Sequence, residues 1–120
     1  MRTVEFLRSS VENLTARERL LYSDTTTAIR IDKAIDEAAG ELILDVAEHF
    51  VLCVKQDGEE YEMILIVTDE GEKYASGSAS LIERFYEIAD AMGDESFSVV
   101  CYKKPSKKRE GKYFITCGII

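Results

Sequence analysis

A chain of 120 residues, 46% apolar and 32% charged, is long enough for one buried core and too short for two, and its composition excludes a disordered tail. Its 23 acidic residues outnumber 15 basic ones for a formal charge of −8, which excludes broad attraction to polyanions and confines any nucleic-acid contact to a local patch. No run approaches the roughly 18 apolar residues of a membrane span, and residues 1–20 hold no apolar signal core. The three cysteines, Cys53, Cys101 and Cys117, lie within apolar runs and share no short spacing, so they read as buried thiols of a cytoplasmic protein.

Taken in chain order, residues 1–12 carry Val4, Phe6, Leu7 and Val11 without a firm period and are expected as a short helix or an arm. Thr15-Ala16-Arg17-Glu18 has the form of a capping box, a hydroxyl that caps and a glutamate three residues on that reaches back. A short helix through Leu20, Leu21 and Tyr22 should follow and stop at Ser23-Asp24-Thr25-Thr26-Thr27. Ile29, Ile31 and Ile35 fall at mixed spacing and Asp36–Gly40 reads as a turn, so 13–40 is expected as helix and loop. From Glu41 the texture is that of short strands: Leu42, Leu44 and Val46 alternate with Ile43 and Asp45, and Phe50–Val54 is continuously apolar. The Asp57-Gly58 pair before Tyr61–Val67 is a hairpin signal, and Asp69–Glu72 turns the chain into a short strand at Lys73-Tyr74-Ala75.

A helix from about Ser80 to Met92 follows, with Leu81, Phe85, Ile88 and Met92 on one stripe, a second capping box expected at Ser80 and Glu83, and Gly93 as its stop. Phe97, Val99 and Cys101 then alternate in one strand, and Tyr113, Ile115, Cys117 and Ile119 in another. Three strands, a helix and two strands is the element order of the OB-fold. The expected architecture is therefore a single domain, α+β or mainly β: a five-stranded OB-like barrel over 41–120 with one capped helix between strands three and four, and a short N-terminal helix before it. A plain α+β sheet packed on one helix is the rival.

The loop between the last two strands holds Lys103, Lys104, Lys107, Lys108, Arg109 and Lys112 with one acid, Glu110. Screening confines such a field to about 8–10 Å at ordinary salt, so a local cluster acts independently of the acidic remainder. Tyr102 enters this loop, and Tyr113 and Phe114 leave it; cations interleaved with rings offer charge to phosphates and flat faces to unpaired bases. A solvated hairpin tip whose lysines protect a sheet edge explains the same loop without a ligand. Alternation places Tyr113 with Ile115 and Cys117 toward the core, and Phe114 with Lys112 and Thr116 outward as the stacking ring; Tyr102 is the second candidate.

Catalytic readings are weak. The one histidine, His49, would need an acid and a pocket, and neither Asp45 nor Glu48 has an identifiable role. None of the glycine-rich phosphate loops, the paired-histidine zinc motif or the CxxC motif is present. Gly71–Ser80 is shaped like a phosphate-cradling turn at a helix start, and equally like a turn with its cap.

Three stretches together resemble the small single-stranded DNA-binding proteins of phages and conjugative elements from Gram-positive bacteria: Asn13–Glu18 with the threonines after it, Gly71–Ser78 before a helix bearing Phe85, and Lys103–Lys107 through Gly111–Thr116. The resemblance implies unpaired DNA as ligand, no cofactor, no catalysis and a part in DNA replication. It extends ligand contact to the lysine, Tyr113 and Phe114 positions of the third stretch and to Lys73 and Tyr74. The partners admitted by this reading are single-stranded DNA, a second copy of the chain, and a protein engaging the acidic surface, with no membrane. The alternative is an acidic interaction or inhibitor module of a mobile element, whose carboxylates imitate phosphates.

Overall fold

A computed structural model of the chain describes residues 1–108 and 110–120. In chain order the elements are β1 (Arg2–Ser9), α1 (Ala16–Ser23), β2 (Ile29–Arg30), α2 (Ile31–Glu37), β3 (Leu42–Gln56), β4 (Glu59–Thr68), β5 (Lys73–Ser76), α3 (Ala79–Met92), β6 (Phe97–Pro105) and β7 (Tyr113–Ile119). Among the described residues the architecture is α+β and mostly strand, a curled open sheet with three helices. The sheet has seven strands among the described residues, five of them (β3–β7) within 41–120 and two, β1 and β2, from the N-terminal 40 residues. Residues 1–12 supply β1 rather than a helix or free arm, and the turn expected at 36–40 is preceded by α2, which buries Ile31, Ala34 and Ile35 on one face.

Local signals explain several of these boundaries. The capping box of α1 is closed both ways: the Glu18 amide donates to Thr15 Oγ1 at 3.1 Å and the Thr15 amide to Glu18 Oε1 at 3.0 Å. Asp57 and Gly58 both have positive φ (51° and 81°), as a tight turn matched to strand twist requires, and they join β3 to β4. The cap of α3 is Ser78, not Ser80: the Leu81 amide donates to Ser78 Oγ at 3.3 Å. Gly93 ends that helix with φ 61° and ψ −121°, a conformation that favours glycine.

The sheet runs β2-β5-β4-β3-β6-β7, with β1 also on β3. β3 is long enough to use one edge twice: Leu42–Val46 pairs with β6 and Phe50–Gln56 with β1, while the other edge pairs with β4. The pairing with β4 slips between Val46 and Glu48, and this bulge inverts the alternation. Leu42, Leu44 and Val46 face the core under α2 and α3; past the bulge Val51 faces that core, and Phe50, Leu52 and Val54 face the opposite one.

Two cores result, one on each side of the sheet. The larger joins Ile64, Ile66, Val99, Cys101 and Cys117 to Leu81, Phe85 and Ile88 of α3, which lie at 6% exposure or less. The smaller holds Phe50, Leu52, Val54, Leu65, Val67 and Ala75 beneath Val4, Phe6, Val11, Leu14 and Tyr22 of the N-terminal segment. Phe50 stacks on Tyr22 at 4.6 Å and meets Phe6 edge-on at 5.8 Å.

β7 is an edge strand, and α3 lies along it. Ser80 Oγ donates to the Ile115 carbonyl at 2.9 Å and Arg84 Nε to the Cys117 carbonyl at 3.3 Å. Four residues of helix rise about 6 Å and two residues of strand about 6.7 Å, so one face of α3 can serve successive outward carbonyls of β7.

Candidate nucleic-acid interface

The register of the last hairpin positions its side chains. Cys101 sits opposite Cys117, Tyr102 opposite Thr116, Lys103 opposite Ile115, Lys104 opposite Phe114 and Pro105 opposite Tyr113. The carbonyls of Ile115 and Cys117 point away from β6, so Tyr113, of the same parity, is not a position where β6 must donate. Proline therefore sits at 105 without loss of a ladder bond, and the next pair closes with the Ser106 amide donating to the Lys112 carbonyl at 2.8 Å.

Because Cys101 and Cys117 point into the larger core, Tyr102, Lys104, Phe114 and Thr116 point out. The Lys104 ammonium lies 5.9 Å from the centre of the Tyr102 ring, within cation–π range, and directly across from Phe114, which is 38% exposed. Phe114 and Tyr102 are diagonal neighbours on this face, and Lys104 adjoins both, next to Tyr102 along β6 and across from Phe114. Lys107, Lys108 and Lys112 are exposed at the tip, and among the described residues neither they nor Lys104 form an ion pair. Arg109 lies outside the described residues.

The other expected contacts have different surroundings. Lys103 faces inward and donates to both carboxylate oxygens of Asp36 at 2.9 and 3.0 Å. Lys73 donates to the backbone carbonyls of Leu21 at 3.1 Å and Asp24 at 2.9 Å, closing the C-terminal end of α1. Tyr74 packs against the larger core, and its hydroxyl donates to Glu72 at 3.0 Å. Tyr113 is 67% exposed and not core: it shares the parity of Ile115 and Cys117, but the hairpin extends past the last residue that could cover it.

Ile43 was not anticipated at this face, where it joins Val100, of the same parity as Tyr102. They are cross-strand partners of the outward parity, Ile43 is 61% exposed, and both continue the apolar strip that begins at Phe114 and Tyr102. Opposite Val100 stands Gly118, whose missing side chain leaves that part of the strip flat. The inversion of Ile43 relative to Leu42 and Leu44 is the sequence signal for its place. Beneath the strip, burial pushes the Cys101 thiol up to about 12, with Cys117 adding to it, and burial pushes the Cys117 thiol up to about 11. Both therefore stay protonated and act as packing groups.

His49 belongs to a separate cluster. Its Nδ1 is 3.1 Å from the Tyr86 hydroxyl, and its ring meets Phe85 and Tyr86 edge-on at 5.3 Å. Burial first, then the Arg8 guanidinium, holds its pKa below the usual 6.5. Arg8 lies 3.9 Å over the Tyr86 ring and pairs with Asp90 at 2.6 Å, fastening β1 to α3. The two acids near His49 in sequence are engaged elsewhere: Glu48 accepts from Tyr22 and Asp45 from Ser98, each at 2.6 Å.

Compared with family models, curated proteins and solved structures, the chain matches none. Among the described residues, no helix is long and apolar enough to cross a membrane. The strip of Tyr102, Lys104 and Phe114 is thus characterised by its own geometry: two rings and a cation on one outward face of two paired strands, running into lysines at the tip that form no ion pair among the described residues.

Proposed function

We propose that the chain binds single-stranded DNA, without catalysis, along the outward face of β6 and β7 and the lysine-bearing tip that joins them. The observation that carries this reading is Lys104 beside Tyr102 on β6 and directly across from Phe114 on β7, all three on one outward face. A duplex keeps its bases stacked inside, whereas an unpaired strand can lay a base on each ring while its phosphates follow the lysines. The strand order supports an OB-like reading of the core: β5-β4-β3-β6 is the spatial arrangement of a Greek key, β7 adds a fifth strand, and α3 lies between β5 and β6 in the chain. In that reading β1 and β2 are additions, and the β6–β7 loop borders the ligand, as in the OB proteins that bind oligonucleotides.

Fluorescence anisotropy with labelled single-stranded and duplex oligonucleotides tests the proposal. Single strands should bind in preference to duplex. Affinity should fall with salt at a log–log slope of about −3, from about −0.7 for each of four phosphates met by Lys104, Lys107, Lys108 and Lys112. Absence of single-strand binding at low salt would overturn it.

A further inference from the structure

Beyond the first turn of α3, the face of the sheet that carries the larger core is left uncovered and forms a groove of about 660 Å³. Its floor and wall are apolar, with Leu7, Cys53 and Ile82 among the lining residues, and Leu7 is 44% exposed. Four carboxylates stand around it: Glu5 and Glu62 flank Cys53 on the neighbouring strands, Glu60 accepts from the Cys53 thiol at 3.2 Å, and Glu83 projects from α3. None of these carboxylates forms an ion pair among the described residues.

The same chain carries the complement of this groove. Tyr113 is an exposed aromatic on the face of β7 opposite Phe114, so the DNA reading does not use it, and Lys107, Lys108 and Lys112 lie just before it in the hairpin. We propose that the groove receives the basic hairpin of a second copy. Tyr113 seats against Leu7 and Ile82, and the lysines meet the carboxylates at the rim. Tyrosine is a favoured anchor in such contacts because it buries a large rigid surface for little lost freedom. Charge complementarity selects this occupant: an apolar groove rimmed by four glutamates repels the acidic remainder of another copy and attracts its basic hairpin. Hairpin and groove are different patches, so the contact is head-to-tail and each molecule can engage two neighbours. Because Tyr113 and Phe114 lie on opposite faces of β7, assembly and DNA use different rings of one hairpin and share its lysines.

Sedimentation velocity without DNA reads this directly. At low salt the wild-type mass should rise with protein concentration and return to that of the monomer as salt screens the rim. Tyr113→Ala should remain monomeric, and so should the double variant Glu62→Lys, Glu83→Lys; all three side chains are exposed, so both proteins should keep the wild-type circular dichroism. The equimolar mixture decides the geometry: one variant retains a groove and the other a hairpin, so a 1:1 dimer should form and nothing larger. A wild type that stays monomeric at every concentration, or a mixture that stays monomeric while the wild type assembles, overturns the proposal. The DNA reading is scored separately. Tyr113→Ala should leave oligonucleotide binding intact, and assembly in a protein that binds no oligonucleotide would sink that reading while leaving this one standing.

Discussion

Two stretches of the same side of one sheet meet opposite fates. Across β3, β4 and β5, the side turned away from α3 carries Phe50, Leu52 and Leu65, all sealed beneath α1 and the residues leading to it, with Val4 and Phe6 of β1 packed beside them. Across β6 and β7 that same side carries Val100, Tyr102, Lys104 and Phe114, with no other element laid over it among the described residues. Phe50 and Phe114 are the same residue on the same side of the sheet. What separates a core ring from an exposed platform is whether another segment of chain reaches it, and the N-terminal segment stops at β3. The lysine beside Phe114 accords with this, since a cation there remains hydrated, whereas beside Phe50 it would be buried without a partner.

The contrast is sharpest for the two phenylalanines. Phe50→Ala should cost about 3–5 kcal/mol of stability in chemical denaturation, the usual loss for a buried aromatic, because its contacts with Phe6 and Tyr22 go with it. Phe114→Ala should leave the denaturation midpoint nearly unmoved and weaken single-strand binding roughly tenfold, since one stacked base contributes about 1–3 kcal/mol. A large stability loss at Phe114 would make the two faces alike and end the comparison. Lys73→Ala should cost about 1 kcal/mol through the Leu21 and Asp24 carbonyls that it serves at the end of α1, with the salt slope of DNA binding unchanged. A flatter slope would return Lys73 to the ligand.

The smallest effect is expected at His49, next to the bulge where β3 changes faces. Its folded pKa is below 6.5, so between those two values the unfolded chain binds the extra proton. Stability should therefore fall as pH drops through 6.5, and that part of the fall should vanish in His49→Gln. Arg8, Tyr86 and Asp90 surround the ring, and Asp90 opposes the shift. A wild type and variant with parallel pH profiles would show that the imidazole is not held neutral.

Strong local periods made much of this legible in the sequence. The stripe of α3, the Thr15–Glu18 box and the Asp57-Gly58 turn each depend on residues within one or two turns of chain, and the structure contains all three. β1 was not legible because only Val4 and Phe6 alternate into the core, too few to fix a period. α2 shows Ile31, Ala34 and Ile35 at helical spacing, but no side chain caps its start and it is only seven residues long. The bulge after Val46 cut a 15-residue strand into two apparent runs. At the candidate site, alternation correctly separated the faces of Tyr113 and Phe114. It could not tell that the hairpin projects past its support, because parity says which way a side chain points and nothing about what lies there.

The bulge in β3 also bears on how the molecule comes apart. Both apolar clusters hang from this one strand, Leu44 and Val51 in one and Phe50 and Leu52 in the other. Neither can melt and leave its neighbour an intact wall, so heat or denaturant should remove them in a single cooperative step. The amides of Phe50 to Val54, hydrogen-bonded between β1 and β4, should be the last to exchange with solvent, opening only when the whole chain unfolds.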